Sequence, residues 1–147
     1  MKFPDLPELC REIFKHFSKK SLLLNSAERV ASTAAVRPIE AQFRDEFYRV
    51  FKLLLGTGVA ISSEWARGKS GRIDFRILGP KWGVEFLVDG TMSTLSEHCG
   101  RFLPPNGKYR QWINDGLITD WLVIDCRCPN PPGISKFTSL LHLWLHH

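Results

Sequence analysis

Gly71–Gly90, GRIDFRILGPKWGVEFLVDG, decides how the chain folds. Ile73, Phe75 and Ile77 alternate with Arg72, Asp74 and Arg76. After Gly79-Pro80, Val84, Phe86 and Val88 alternate with Glu85, Leu87 and Asp89. Side chains on a strand switch faces at every residue, so this pattern predicts two strands joined by a Gly-Pro turn, with Asp74 and Glu85 able to share a face. Two carboxylates held close repel unless something neutralises them, and a hard divalent cation with oxygen ligands is a common answer. The plainer alternative pairs both acids with Arg72 or Arg76 on an exposed sheet face.

Upstream, Ile39, Phe43, Phe47, Val50 and Leu54 form the apolar stripe of a helix that Pro38 opens and Gly56 closes. Glu40 and Glu46 flank that stripe from opposite sides, so either can point toward the hairpin. Val59–Glu64 reads as a short strand, and Arg67–Gly71 (RGKSG) as a tight basic loop. Residues 1–36 predict two short helices, with capping spacing at Asp5/Glu8 and at Asn25/Glu28, the second helix covering Arg29–Ala35.

Downstream, Thr91 or Ser93 caps a helix through Leu95, His98, Cys99 and Phe102, which Pro104-Pro105-Asn106-Gly107 breaks. A helical segment resumes over Lys108–Asp115. Asp120–Cys126, DWLVIDC, is a nearly continuous apolar run, the pattern of a central strand buried on both faces. The apolar tail Phe137–His147 is expected to pack back as a short helix. The order is helix, three strands, helix, strand, preceded by helices: an α/β chain with a mixed sheet, in which the last strand returns through a helical crossover.

The 147 residues suffice for one domain with a real core, divided as a helical extension (1–36), a core (37–128) and a tail (129–147). Apolar residues make up 44% and charged residues 24%, an ordinary globular balance. No apolar run reaches the roughly 18–20 residues of a membrane span. The opening MKFPDLPELCREIF lacks the apolar stretch of a secretory signal. Cys10, Cys99, Cys126 and Cys128 are too irregularly placed for a disulfide framework, which favours reduced thiols and an intracellular location, the nucleus included. The net charge of +5 favours a polyanionic partner.

The succession RPIEAQFRDEFYRVF, GRIDFRI, KWGVEFLVDG, EHCGRF, YRQWINDG and DWLVIDCR resembles the PD-(D/E)XK nuclease superfamily, the restriction-endonuclease-like fold. In wording it is similar to a nuclease-like module found in many copies in filamentous fungi, some within Crinkler-type effector proteins. The resemblance covers Arg37 to Arg127. It implies an αβββαβ core and a metal-dependent phosphodiesterase acting on nucleic acid, DNA ahead of RNA, with a homodimer as one way to cut two strands. By position, Glu46 (with Glu40 as fallback) is the helix carboxylate, and Asp74 and Glu85 are the strand ligands for Mg²⁺ or Mn²⁺. The main-chain carbonyl of Phe86 is a further ligand. Such an ion would polarise the phosphate and acidify a bound water for in-line attack.

One position departs from the pattern. The family's lysine, two residues after Glu85, is Leu87 here. Lys81, Arg72, Arg76 and Lys108 are the candidate substitutes, and Lys81 is counted as catalytic alongside Glu46, Asp74 and Glu85. Arg67, Lys69, Arg72, Arg76, Arg101, Lys108 and Arg110 are the candidate nucleic-acid contacts, since bases interleaved with glycine and aromatics suit a phosphate backbone and stacked bases. Leu87 supports a second reading, a catalytically inactive nuclease-fold module that binds nucleic acid or a protein partner as an effector. A third treats the acids as surface charges of an adaptor. Adjacent His98 and Cys99 diverge on a helix and make no nucleophile pair, and the cysteine spacing does not suit zinc. The terminal histidines are assigned nothing.

Overall fold

The computed structural model describes residues 2–22, 39–69 and 71–127, and the backbone of 141–144. Helix α1 (Leu6–Lys15) starts where the Asp5 side chain accepts the Glu8 amide at 2.8 Å, the cap its spacing predicts. Helix α2 (Glu40–Leu55) is entered at Ile39, whose N–H is met by the Gln42 side chain at 2.8 Å, and ends at Gly56, where φ is +58°. The expected helix at Arg29–Ala35, with Pro38, Ser70 and Cys128, lies outside the described residues.

Strands β1 (Ile61–Trp65), β2 (Ile73–Ile77) and β3 (Trp82–Val88) form an antiparallel meander. Helices α3 (Met92–Gly100) and α4 (Arg110–Asn114) then carry the chain to β4 (Asp120–Cys126), which runs parallel to β3 over seven paired positions. A short turn suffices for the antiparallel pairs, whereas parallel strands need such a crossover. The tail departs from expectation: Leu141–Trp144 forms β5, antiparallel to β4 from Cys126↔Leu141 to Val123↔Trp144. Pairing there satisfies the backbone groups along the outer edge of β4, a gain that outweighs a weak local helical pattern. The result is a five-stranded mixed sheet in the order β1-β2-β3-β4-β5, an α/β architecture.

Two apolar clusters sandwich the sheet. Val84 and Phe86 of β3, with Phe75 and Ile77, meet Leu9 and Ile13 of α1 and Phe43, Phe47 and Val50 of α2. Leu87 and Val123 meet Leu95, Cys99, Phe102, Tyr109 and Trp112 on the side of α3 and α4. Ile73 belongs to this second cluster although Phe75 and Ile77 belong to the first. A regular strand keeps such residues on one face, so β2 turns over at Asp74.

Candidate functional site

That turnover locates the acids. The β2–β3 register runs Ile77↔Trp82, Arg76↔Gly83, Phe75↔Val84 and stops. One step further would set Asp74 opposite Glu85. There the Asp74 side chain takes over from the ladder, its Oδ2 accepting the Phe86 amide at 2.8 Å. Its Oδ1 lies 3.2 Å from an Arg44 Nη of α2. Burial pushes the Asp74 carboxyl above its usual range, the charge of Glu85 adds to the rise, and the Phe86 amide and Arg44 oppose it.

Glu85 is 2% exposed. A buried carboxylate is tolerated when charge and hydrogen bonds are supplied from within, and here both are. Oε2 accepts from Arg101 at 2.8 Å and sits 3.0 Å from His98 Nδ1, both on or just after α3. Oε1 lies 2.7 Å from the Tyr109 hydroxyl, which also reaches the Arg72 carbonyl at 2.6 Å. Burial, and then the bond to Glu85, raise the Tyr109 phenol far above its ordinary value. Arg101 is further held by Glu97 at 3.1 Å, one turn back on the helix. Gly107 makes Tyr109's approach possible: a Cβ there would collide with the carbonyls of Leu103, Arg101 and Gly100, and Tyr109 N–H closes that turn on Arg101 O at 2.7 Å.

Of the two helix glutamates, Glu40 is the one whose carboxyl responds to the charge of Asp74, whereas Glu46 is bonded elsewhere. Burial raises the Glu40 carboxyl, and the charge of Asp74 adds to that, with Arg44 and His98 opposing. Glu46 is turned to the other flank of α2, where it accepts the Ser18 amide and a forked pair of bonds from Arg49 at 2.7 and 2.9 Å. Burial alone would raise its carboxyl, but Arg49 and the Ser18 amide hold it below the ordinary value. The two glutamates are six positions apart, which on a helix puts them on widely different faces.

The other sequence-predicted residues divide sharply. Lys81 is exposed in the hairpin turn, with positive φ, at the far end of β3 from Glu85. Four positions along the strand, about 13 Å at the usual rise, separate them, so it does not stand in for the expected lysine. Leu87 fills that lysine's position as a core side chain of the second cluster. Phe86 donates its N–H to Asp74 Oδ2 at 2.8 Å, which sets its backbone beside that carboxylate. Arg76 lies over the Trp65 ring at 4.7 Å and donates to Leu117 O at 2.9 Å, facing away from the acids. Arg101 is withdrawn from the surface onto Glu85, and Arg110 begins α4 half-buried.

Arg67, Lys69, Arg72 and Lys108 do remain exposed. The loop between β1 and β2 folds against Lys108, whose Nζ lies 3.2 Å from where a Cβ on Gly71 would be and 5.0 Å from the Tyr109 ring centre. Arg67 stands near enough to Arg76 for its charge, after burial, to depress the Arg76 guanidinium.

Sequence reasoning did not give Arg44, His98, Arg101, Tyr109 or Asp125 these roles, although it named Arg101 as a nucleic-acid contact. Arg44 had a signal, since it lies one turn after Glu40 and so on the same helix face. Arg101 follows His98 by three residues in the same way, but neither residue's target was legible. Tyr109 depends on the turn at Gly107. Asp125, fully buried on β4, accepts the Gly90 amide at 3.0 Å and lies 2.6 Å from an Arg127 Nη, a charge contact without hydrogen-bond alignment. It pins the turn from β3 into α3, yet in sequence it is one polar residue inside an apolar run.

A divalent ion fits this donor set poorly. Both Glu85 oxygens and both Asp74 oxygens face protein donors. Among the described residues, no three His, Cys, Asp or Glu side chains are grouped to hold an ion. No helix among the described residues is long and apolar enough to cross a membrane. No protein-family model, characterised protein or solved structure matches the chain.

Proposed function

We propose that the chain is a nucleic-acid-binding module on a restriction-endonuclease-like αβββαβ core, its acidic centre neutralised by its own side chains. The observation that carries this reading is the convergence of Arg67, Lys69 and Arg72 with Lys108, four exposed cations from two distant segments, beside a carboxylate centre that has internal partners. Exposed cations gain by releasing the counterions condensed on a phosphate backbone, and this gain is independent of sequence. The net charge of +5 adds to it. Duplex DNA is the first ligand to test and single-stranded RNA the second.

The test is fluorescence anisotropy with mixed-sequence duplex DNA and with RNA across a salt series. Binding that weakens steeply with salt, and whose slope falls when Arg72 and Lys108 are both changed to Ala, is expected. Salt-independent binding, or none, removes the reading.

Metal-dependent cleavage is the second reading, and one observation favours it: Glu40, Asp74 and Glu85 lie close enough to sense one another's charge. Plasmid and RNA incubated with Mg²⁺, Mn²⁺ or EDTA, beside Asp74→Ala and Glu85→Ala prepared identically, separates the two. Metal-dependent cutting lost in both variants would replace the first reading with the second.

A further inference from the structure

We infer that Arg101 is a built-in replacement for a metal ion: its guanidinium occupies the place at Glu85 that a divalent cation would take, and cutting it back converts the centre into a cation site. The inference deepens the reading of a self-neutralised nuclease-like core and rests on it for that core.

Charge balance favours this role. Among the described residues, each acid of the β2–β3 pair has one arginine partner, Arg44 at Asp74 and Arg101 at Glu85. Arg44 arrives from α2 and lies 3.2 Å from Asp74 Oδ1, while a second of its nitrogens is 3.3 Å from Glu64. Arg101 arrives from the end of α3 and serves Glu85. Glu64 and Glu97 draw on the same two guanidinium groups, so carboxylates outnumber arginines at this end of the sheet. Removing Arg101 takes from Glu85 its arginine partner, a deficit of positive charge that a divalent ion can offset.

Geometry supports the same assignment. Arg101 is 21% exposed and Glu85 3% exposed at their side chains, so this cation is drawn inward onto the acid. Its other nitrogen is tied to Glu97, and its Nη1 packs 3.2 Å from His98 Nδ1. A guanidinium held from three sides is preorganised for a planar carboxylate, and it excludes water from Oε2. Truncation at Arg101 would free Oε2 of Glu85, and an ion that keeps several of its own waters needs few protein oxygens.

Mn²⁺ alone is the probe, with no nucleic acid present, so failure here and failure of the binding reading are separate results. The loss of the free-Mn²⁺ EPR signal reports binding, and a thermal melt at each concentration reports fold. Wild-type protein should bind no more Mn²⁺ than Asp74→Asn. Arg101→Ala should bind about tenfold more tightly than wild type, show a Mn²⁺-dependent rise in melting temperature, and lose both properties when Glu85→Gln is added. Arg101→Met, which keeps the aliphatic packing, serves if the alanine variant does not fold. Wild-type binding that Asp74→Asn abolishes overturns the inference whether or not any variant folds. So does a folded Arg101 variant that binds no better than wild type.

Discussion

The two faces of the central sheet are built from alternate residues of the same strands and follow opposite rules. Toward α1 and α2, β3 presents Val84 and Phe86, and the rings of Phe47, Phe75 and Phe86 meet with centroids 5.3 to 6.0 Å apart. Toward α3 and α4, the same strand presents Glu85 and Leu87, beside Asp125 on β4. The first face is held by area removed from water, which is non-directional and tolerant of exchange among apolar residues. The second buries charge, and every buried charge there requires a partner of fixed geometry. A shared strand thus contributes apolar surface alone on one side and a buried carboxylate set in apolar surface on the other.

Substitutions can sharpen that contrast. The largest effect is expected from Phe86→Ala, which opens a cavity in the apolar face and should lower unfolding free energy by about 3–5 kcal/mol in urea melts. A loss below about 1 kcal/mol would mean the face is loosely packed.

On the charged face, Arg101→Ala should cost about 2–3 kcal/mol at neutral pH, because Glu85 loses its cation while keeping His98 and Tyr109. The paired change Glu85→Leu with Arg101→Leu should recover most of that loss. If the double variant is no better than the single one, the pair contributes more than mutual neutralisation.

The two glutamates of α2 should respond to pH with opposite signs. Glu46 has a lowered carboxyl, so its contribution is present above the ordinary value of 4.5 and is lost as pH falls through the folded value. Glu46→Gln should therefore destabilise by about 1 kcal/mol at pH 7 and have little effect in acid. Glu40 has a raised carboxyl, so the folded state holds its proton more tightly and stability falls as pH rises from near 4.5 through the folded value. Glu40→Gln should stabilise the protein slightly at pH 7, by a few tenths of a kcal/mol given its partial exposure, and should flatten that fall. Melts across pH 3–8 read both. Equal signs would place both glutamates in one environment.

The smallest effect on stability belongs to the exposed bases. Arg72→Ala and Lys108→Ala should each leave unfolding free energy within about 0.5 kcal/mol of wild type. Their effect should appear in the salt dependence of nucleic-acid binding, whose slope should fall by about one for each phosphate the variant no longer neutralises. An unchanged slope in both variants would place the phosphate backbone elsewhere on the surface.

Local pattern made much of the fold legible. The alternation in Ile73–Ile77 and Trp82–Val88, Phe43, Phe47 and Val50 of the α2 stripe, the Asp5 cap and the apolar run of β4 emerge where expected, whereas Ile39 of that stripe is exposed at the N-cap and Phe51 is buried in addition. Each depends on neighbours in the chain, so periodicity exposes it. The form of the tail was hidden because β5 owes its pairing to an edge far away in sequence. Of the candidate site, Asp74 and Glu85 were legible as a pair, since period two places them. Which helix glutamate joins them was not, because the rotation of α2 about its axis is set by how Phe43, Phe47 and Val50 pack. The role of Arg101 was hidden for a related reason, since an arginine beside a turn reads as surface until a buried acid is found beneath it.

The sequence by itself therefore determined the order of elements from α2 to β4, the mixed α/β layout and the two strand acids, all consequences of short-range periodicity. Only the tertiary structure decided what neutralises those acids. Arg44, His98, Arg101 and Tyr109 come from three segments that meet only after the crossover from β3 to β4 closes. Charge pairing acts over a few ångströms in space and is indifferent to separation along the chain.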